Sequence, residues 1–198
     1  MGRREDTKAA NRAAIVSAGR AAFAEHGYDA VGVRDIVRRT GLASGTFYNY
    51  FPDKPAVFRA IVEETGAEVR RLVREARRAT AGREAFLEEG FRALFTFIAG
   101  DPTTFAFVRR NLGTIQERFG DAVPPAGLVE LEADLRDAIA RGELPEVDLG
   151  YLSRAMVAVG LELGQELSGR RPPDVDGAAR FAGALFSGRL DRLPPPLR

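Results

Sequence analysis

The stretch Asp35-Ile36-Val37-Arg38-Arg39-Thr40-Gly41-Leu42-Ala43-Ser44-Gly45-Thr46-Phe47-Tyr48-Asn49-Tyr50-Phe51 decides the fold. It reads as two short helices around a tight turn. Val33, Ile36, Val37 and Thr40 recur at helical spacing, and Gly41 ends the run where the turn needs a positive φ that glycine adopts freely. A second helix is expected from Ser44, as its N-cap, to Phe51, with Pro52 closing it because proline disfavours a helical residue before it. Phe47 and Phe51 stand four apart and point to one side, leaving Ser44, Gly45, Thr46, Tyr48 and Asn49 on the other. This is the layout of a helix-turn-helix whose second helix enters the DNA major groove. Asn pairs bidentately with adenine, and Thr packs on a thymine methyl. Tyr48 offers a hydroxyl to a phosphate, and Lys54 adds a charge beside the N-terminal amides of the next helix. A generic helical hairpin with exposed aromatics is the alternative for the same spacing.

Working outward, Ile15, Ala18, Gly19, Ala22 and Phe23 line one face of a preceding helix that Gly27 ends. His26 is then a solvated helix-end residue. Asp53 is placed to cap a long fourth helix, with Pro55 in its first turn. Phe58, Ile61, Val62, Thr65, Val69, Leu72, Val73 and Ala76 form its apolar face, and it ends near Gly82. Arg70, Arg71, Arg74, Arg77 and Arg78 alternate with glutamates and read as a solvated face. A phenylalanine-rich fifth helix spans 84–99, and a sixth starts near Thr103 after the Gly100-Asp101-Pro102 break. Residues 120–127, with Pro124-Pro125, are loop-like; Leu128, Leu131, Leu135 and Ile139 restore a helical stripe. Two further helices are expected over 149–168 and 175–190. No alternating strand pattern appears, so the fold class is all-α with about nine helices. The expected organisation is a DNA-binding domain over 1–54, an effector-binding and dimerisation domain over 55–192, and an extended Pro-rich tail over 193–198.

Composition narrows the function. The 198 residues are 45% hydrophobic, which suits a folded core and argues against wholesale disorder. Without cysteine and with one histidine, the chain offers no disulfide framework, no thiolate zinc site and little for a His-based metal or acid–base centre. No metal or cofactor is implied. Residues 1–54 carry nine Lys or Arg against six Asp or Glu, while the remainder has two more acids than bases. That asymmetry has the sign expected if the N-terminal part meets phosphates. No apolar run reaches the roughly 18–20 residues of a membrane helix, and the charged N-terminus resembles no signal peptide, so a cytoplasmic location is expected. Nucleophile elbow, P-loop and dinucleotide-turn motifs are absent, so no enzyme is expected.

The helix over 149–168 is apolar over more than half its girth, with Arg154, Glu162, Gln165 and Glu166 confined to one arc. Such a helix is covered on two sides. Its Gly160-x-x-x-Gly164 spacing suits close helix contact, and the Ala/Gly-rich 175–190 helix is a second close-packing element. Together they predict a homodimer through residues 149–168 and 175–190, a four-helix interface. Packing within one chain is the alternative. The phenylalanines of helices five and six serve as core or line an apolar pocket with a polar mouth; Phe91, Phe95, Phe105, Arg109 and Asn111 are the candidate ligand-binding residues.

Phe23-Ala24-Glu25-His26-Gly27-Tyr28, Val33-Arg34-Asp35-Ile36, Thr40-Gly41-Leu42, Gly45-Thr46-Phe47-Tyr48-Asn49-Tyr50-Phe51 and Lys54 together resemble the N-terminal domain of TetR-type transcriptional regulators. The resemblance spans roughly residues 10–60. It implies a nine-helix dimer whose first three helices bind a palindromic double-stranded operator, with an effector pocket in the C-terminal domain. The family's phosphate and base contacts fall here on Arg34, Ser44, Gly45, Thr46, Tyr48, Asn49, Tyr50 and Lys54. Two positions depart from its pattern. Gly32 starts the second helix without the usual hydroxyl, and Val37 replaces a small residue, which predicts slightly wider packing between helices two and three. The implied function is a sequence-specific DNA-binding regulator, a repressor released by a small apolar effector. A ligand-binding or enzymatic helical protein that no longer reads DNA, and a DNA-binding dimer without effector, are the alternatives.

Overall fold

The computed structural model describes residues 3–80, 82–119 and 128–189. These form ten helices and no strand: α1 (Arg3–His26), α2 (Val33–Thr40), α3 (Ser44–Tyr48), α4 (Lys54–Arg78), α5 (Arg83–Gly100), α6 (Pro102–Arg110), α7 (Leu112–Phe119), α8 (Leu128–Ala140), α9 (Leu149–Gly169) and α10 (Val175–Ser187). The tenth helix arises because the segment expected to be one helix divides at Asn111. Its side-chain amide donates to the Phe107 carbonyl at 2.8 Å, the same oxygen that accepts its backbone N–H at 3.2 Å. A side chain competing for a ladder carbonyl loosens the turn there. The Pro124-Pro125 loop and the 193–198 tail lie outside the described residues.

The chain forms two compact units. The first comprises residues 1–66 with 103–126, and the second 67–102 with 127–198. The first therefore takes in α6 and α7 along with the N-terminal helices. Its core is continuous from Ile15, Ala22 and Phe23 of α1 through Ile36 and Phe47 to Val57, Phe58 and Ile61 of α4, then Phe107 and Ile115. Phe23, Tyr28, Phe58 and Phe107 form an aromatic cluster, with ring centroids 4.8–6.4 Å apart and mostly tilted or edge-on, the arrangement that ring quadrupoles favour. Gly19 lets α4 approach α1, since a Cβ there would lie 2.9 Å from Val57.

In the second unit α5 packs on α9 and α10, and α8 packs on α9. Small residues set these distances. A Cβ at Gly160 would lie 2.8 Å from Leu94, and one at Gly183 would lie 3.1 Å from the Glu88 side chain. Gly160 thus serves a contact within the chain. Asp148 and Asp174 cap α9 and α10 by accepting the N–H groups of Tyr151 and Gly177, each at 2.9 Å. α9 still exposes Tyr151, Ala155, Ala158, Glu162 and Gln165 along one stripe, and α10 exposes Phe181 and Leu185. The arginines of α4 do not form one solvated face: Arg77 is only 7% exposed.

Candidate nucleic-acid interface

The α2–α3 element is built by local chemistry. Gly32, extended at φ −104 and ψ 166, precedes α2 and donates its N–H to the Asp35 carboxylate at 2.9 Å. This carboxylate supplies one half of a capping box, so α2 starts firmly without a hydroxyl. Gly41 ends it in the left-handed region at φ 70. The Thr40 hydroxyl donates to the Val37 carbonyl at 2.8 Å and accepts the Leu42 N–H at 3.1 Å, which pins the turn. The N-cap of α3 is Ala43 rather than Ser44, with an extended backbone and no side-chain bond. Ser44 is therefore the first helical residue, and it is exposed. Although α3 is short, helical bonding continues to the Phe51 N–H, which donates to the Phe47 carbonyl at 3.1 Å.

The expected division into two faces is present. Phe47 is fully buried and Phe51 is 6% exposed, whereas Tyr48 is 58% exposed. Ser44, Gly45 and Asn49 are exposed beside it, and Thr46 is half-buried. Arg34 is exposed on the first turn of α2 and makes no ion pair among the described residues. Its neighbours are engaged: Arg38 pairs with Asp35 at 3.1 Å and Arg39 with Glu25 at 2.6 Å. The Arg39 guanidinium, helped by His26, holds the Glu25 carboxyl below the usual carboxylate range.

Two of the expected contacts also belong to the scaffold. The Tyr50 hydroxyl accepts from the Asn11 amide of α1 at 3.2 Å, which leaves its own O–H free to donate. The Lys54 ammonium donates to the Tyr28 carbonyl at 2.9 Å and lies 4.2 Å from the centroid of the Tyr28 ring. Two further N–H groups remain for a phosphate. Arg118 of α7 also approaches that ring, 4.9 Å from its centroid, and burial pushes the phenol upward despite this cation. Lys54 is thus held in place at the start of α4, which preorganises it for an anion.

A family model for bacterial regulatory proteins of the tetR family matches residues 15–61, the stretch that contains this element. That match covers the DNA-reading element and about a quarter of the chain. Solved structures agree on the fold along nearly the whole length. The fatty acid degradation regulator FadR from Bacillus halodurans is 20% identical over 93% of this chain and 97% of its own, with a TM-score of 0.76. FadR from Bacillus subtilis, solved with stearoyl-CoA, is 20% identical over 89% of this chain and 98% of its own, also at 0.76. GusR from Salmonella enterica is 23% identical over 91% and 95%, at 0.74. Among the described residues, no helix is long and apolar enough to cross a membrane.

The five candidate ligand-binding residues fall in both units. Phe91 and Phe95 lie in the second, 3% and 0% exposed; Phe91 stacks on Phe95 at 5.9 Å and on Phe186 at 5.7 Å. Phe105, Arg109 and Asn111 lie in the first. Phe105 is buried and Arg109 half-buried. Asn111 is a strut: its Oδ1 accepts the Tyr28 N–H at 2.7 Å, and its Nδ2 donates to the carbonyls of Phe23 at 3.1 Å and Phe107 at 2.8 Å. It ties α6 to the end of α1 and to the residue under Lys54. Sequence reasoning missed Asn11, Tyr28 and this role of Asn111. Their partners lie 39, 26 and 83 positions away, beyond any periodic signal.

Proposed function

We propose that the protein is a dimeric repressor that reads a palindromic operator with Arg34, Ser44, Gly45, Thr46, Tyr48, Asn49, Tyr50 and Lys54, and that a small apolar effector releases it. The observation that carries the DNA part is the outward Tyr48–Asn49 surface over a buried Phe47, beside an unpaired Arg34. Asn49 supplies the base contact, and Thr46 the apolar one. Arg34, Tyr48, Tyr50 and Lys54 hold phosphates. The domain boundaries are functional ones: 1–54 reads DNA, and 55–192 dimerises and binds the effector.

Dimerisation through 149–168 and 175–190 is supported by the exposed Tyr151, Phe181 and Leu185, large apolar groups on the two helices. Two linked copies match two half-sites separated by whole helical turns. Phe91 and Phe95 in the second unit, and Phe105, Arg109 and Asn111 in the first, are the candidate effector contacts. An acyl chain is a fitting first probe, since the Bacillus subtilis FadR is solved with stearoyl-CoA. Release requires that the effector prefer the arrangement that does not bind DNA.

Selection of duplexes from a random library by the purified protein, followed by mobility-shift titration, tests the proposal. Asn49→Ala should lose about 1–3 kcal/mol of discrimination at one base, and Arg34→Ala should weaken all sequences and lower the salt slope by about 1. Enrichment of no duplex at low salt, or wild-type binding by both variants, overturns it. The tight Phe91–Phe95–Phe186 stack favours a second reading, a DNA-binding dimer without effector. A thermal-shift screen with acyl compounds separates the two.

A further inference from the structure

A charged cleft of about 220 Å³ opens within the second unit, between the C-terminal end of α4, the start of α5 and the end of α8. Its charged walls hold four arginines against three carboxylates, with Phe86 as an apolar surface. Two pairs among these charges are matched. Arg141 pairs with Glu143 at 2.9 Å, and Arg74 with Asp134 at 3.3 Å. Arg77 differs in being buried. It is 7% exposed, and its nearest carboxylate, Asp134, is 3.9 Å from Nη1, too far for a hydrogen bond. Its Nε has no partner among the described residues. The guanidinium lies 4.8 Å from the centroid of the Phe86 ring. It fits only because position 90 is glycine; a Cβ there would come within 2.5 Å of the Arg77 Nε.

A largely buried guanidinium whose Nε lacks a hydrogen-bond acceptor is unfavourable. Burial pushes Arg77 down to about 10, against the pull of Asp134. An anion entering the cleft would supply the missing acceptors. The local formal excess of one positive charge matches a monoanion, whereas a doubly charged group would meet three carboxylates at close range. The planar fork of arginine matches a carboxylate, and Phe86 suits a short apolar body. From the buried Arg77, the cleft around it and the charge balance of its walls, we infer that this is a binding site for a small carboxylate anion with a short hydrocarbon chain. The site lies outside the DNA-reading element and stands whether or not the chain reads an operator.

Calorimetric titration of the full-length protein with sodium hexanoate, 1-hexanol and inorganic phosphate tests the assignment. Saturable hexanoate binding is expected, with weaker phosphate binding and no binding of the alcohol. Arg77→Met keeps an unbranched apolar stem but removes the guanidinium and its charge, and should weaken hexanoate about tenfold or more. Arg141→Gln alters only an exposed arginine at the cleft wall and should weaken hexanoate about threefold. That variant decides the matter should Arg77→Met fail to fold. No saturable hexanoate binding, equal binding of hexanol, tighter binding of phosphate, or wild-type affinity in the folded variants overturns the inference.

Discussion

Replacing Asn111 with leucine tests whether the strut between α6 and α1 holds the DNA-reading unit together. The amide makes three hydrogen bonds from a site 1% exposed, but they are unequal. The Phe23 carbonyl also accepts the Gly27 N–H at 3.0 Å, and the Phe107 carbonyl the N–H of residue 111 itself at 3.2 Å, so each keeps a partner. The Tyr28 N–H donates at 2.7 Å to Asn111 in a buried setting, and leucine leaves it orphaned. The orphaned donor costs about 2 kcal/mol and the two shared bonds about 0.5 kcal/mol each, some 3 kcal/mol in sum. For a unit of this size that lowers the midpoint by roughly 12–24 °C. Asn111→Asp sharpens the test. It keeps the Tyr28 bond but turns a bare carboxylate oxygen toward two carbonyls, so its folded-state pKa is raised. The native state then binds the proton more tightly than the unfolded one, and stability falls as pH rises above about 4. Thermal unfolding of both variants at pH 5 and pH 7, with hydrogen exchange of the peptide containing Tyr28, reads this out. A wild-type midpoint for Asn111→Leu with unchanged Tyr28 exchange refutes the strut.

Three other substitutions probe separate parts of the molecule. Lys54→Met removes the bond to the Tyr28 carbonyl and the cation–π contact, so it should cost about 1–2 kcal/mol of stability while weakening all duplexes; reduced DNA binding at wild-type stability in urea denaturation would show that Lys54 is not tied to Tyr28 in solution. Gly183→Ala places a Cβ 3.2 Å from the Glu88 Cα, where backbone must move, and should destabilise by about 1–3 kcal/mol; an unchanged melting midpoint would contradict that close approach of α5 and α10. Tyr151→Glu puts a charge at an 80% exposed position on the proposed dimer face and should shift the protein toward monomer in sedimentation velocity; an unaltered dimer would place the interface elsewhere.

The amino-acid sequence by itself determined the helical class and the sidedness of the α2–α3 element. Both depend on neighbours within one or two turns: Gly41 stops α2, Asp53 accepts the Ala56 N–H at 2.8 Å to start α4, and Phe47 and Phe51 share a face. The same local logic makes Asp35 a cap for Gly32, although Ser44 misled because its hydroxyl suits an N-cap in general while the backbone turns one residue earlier. Only the tertiary structure decided the rest. Arg74, Arg77 and Arg78 look alike along a charged helix, yet α5 approaches closely enough at Gly90 to bury Arg77 alone. Asn111, a candidate pocket residue by sequence, closes α1 through groups 83 and 88 positions away. Periodicity reports which face of a helix is covered, but the covering group is chosen by long-range packing, and a polar side chain takes its role from that partner.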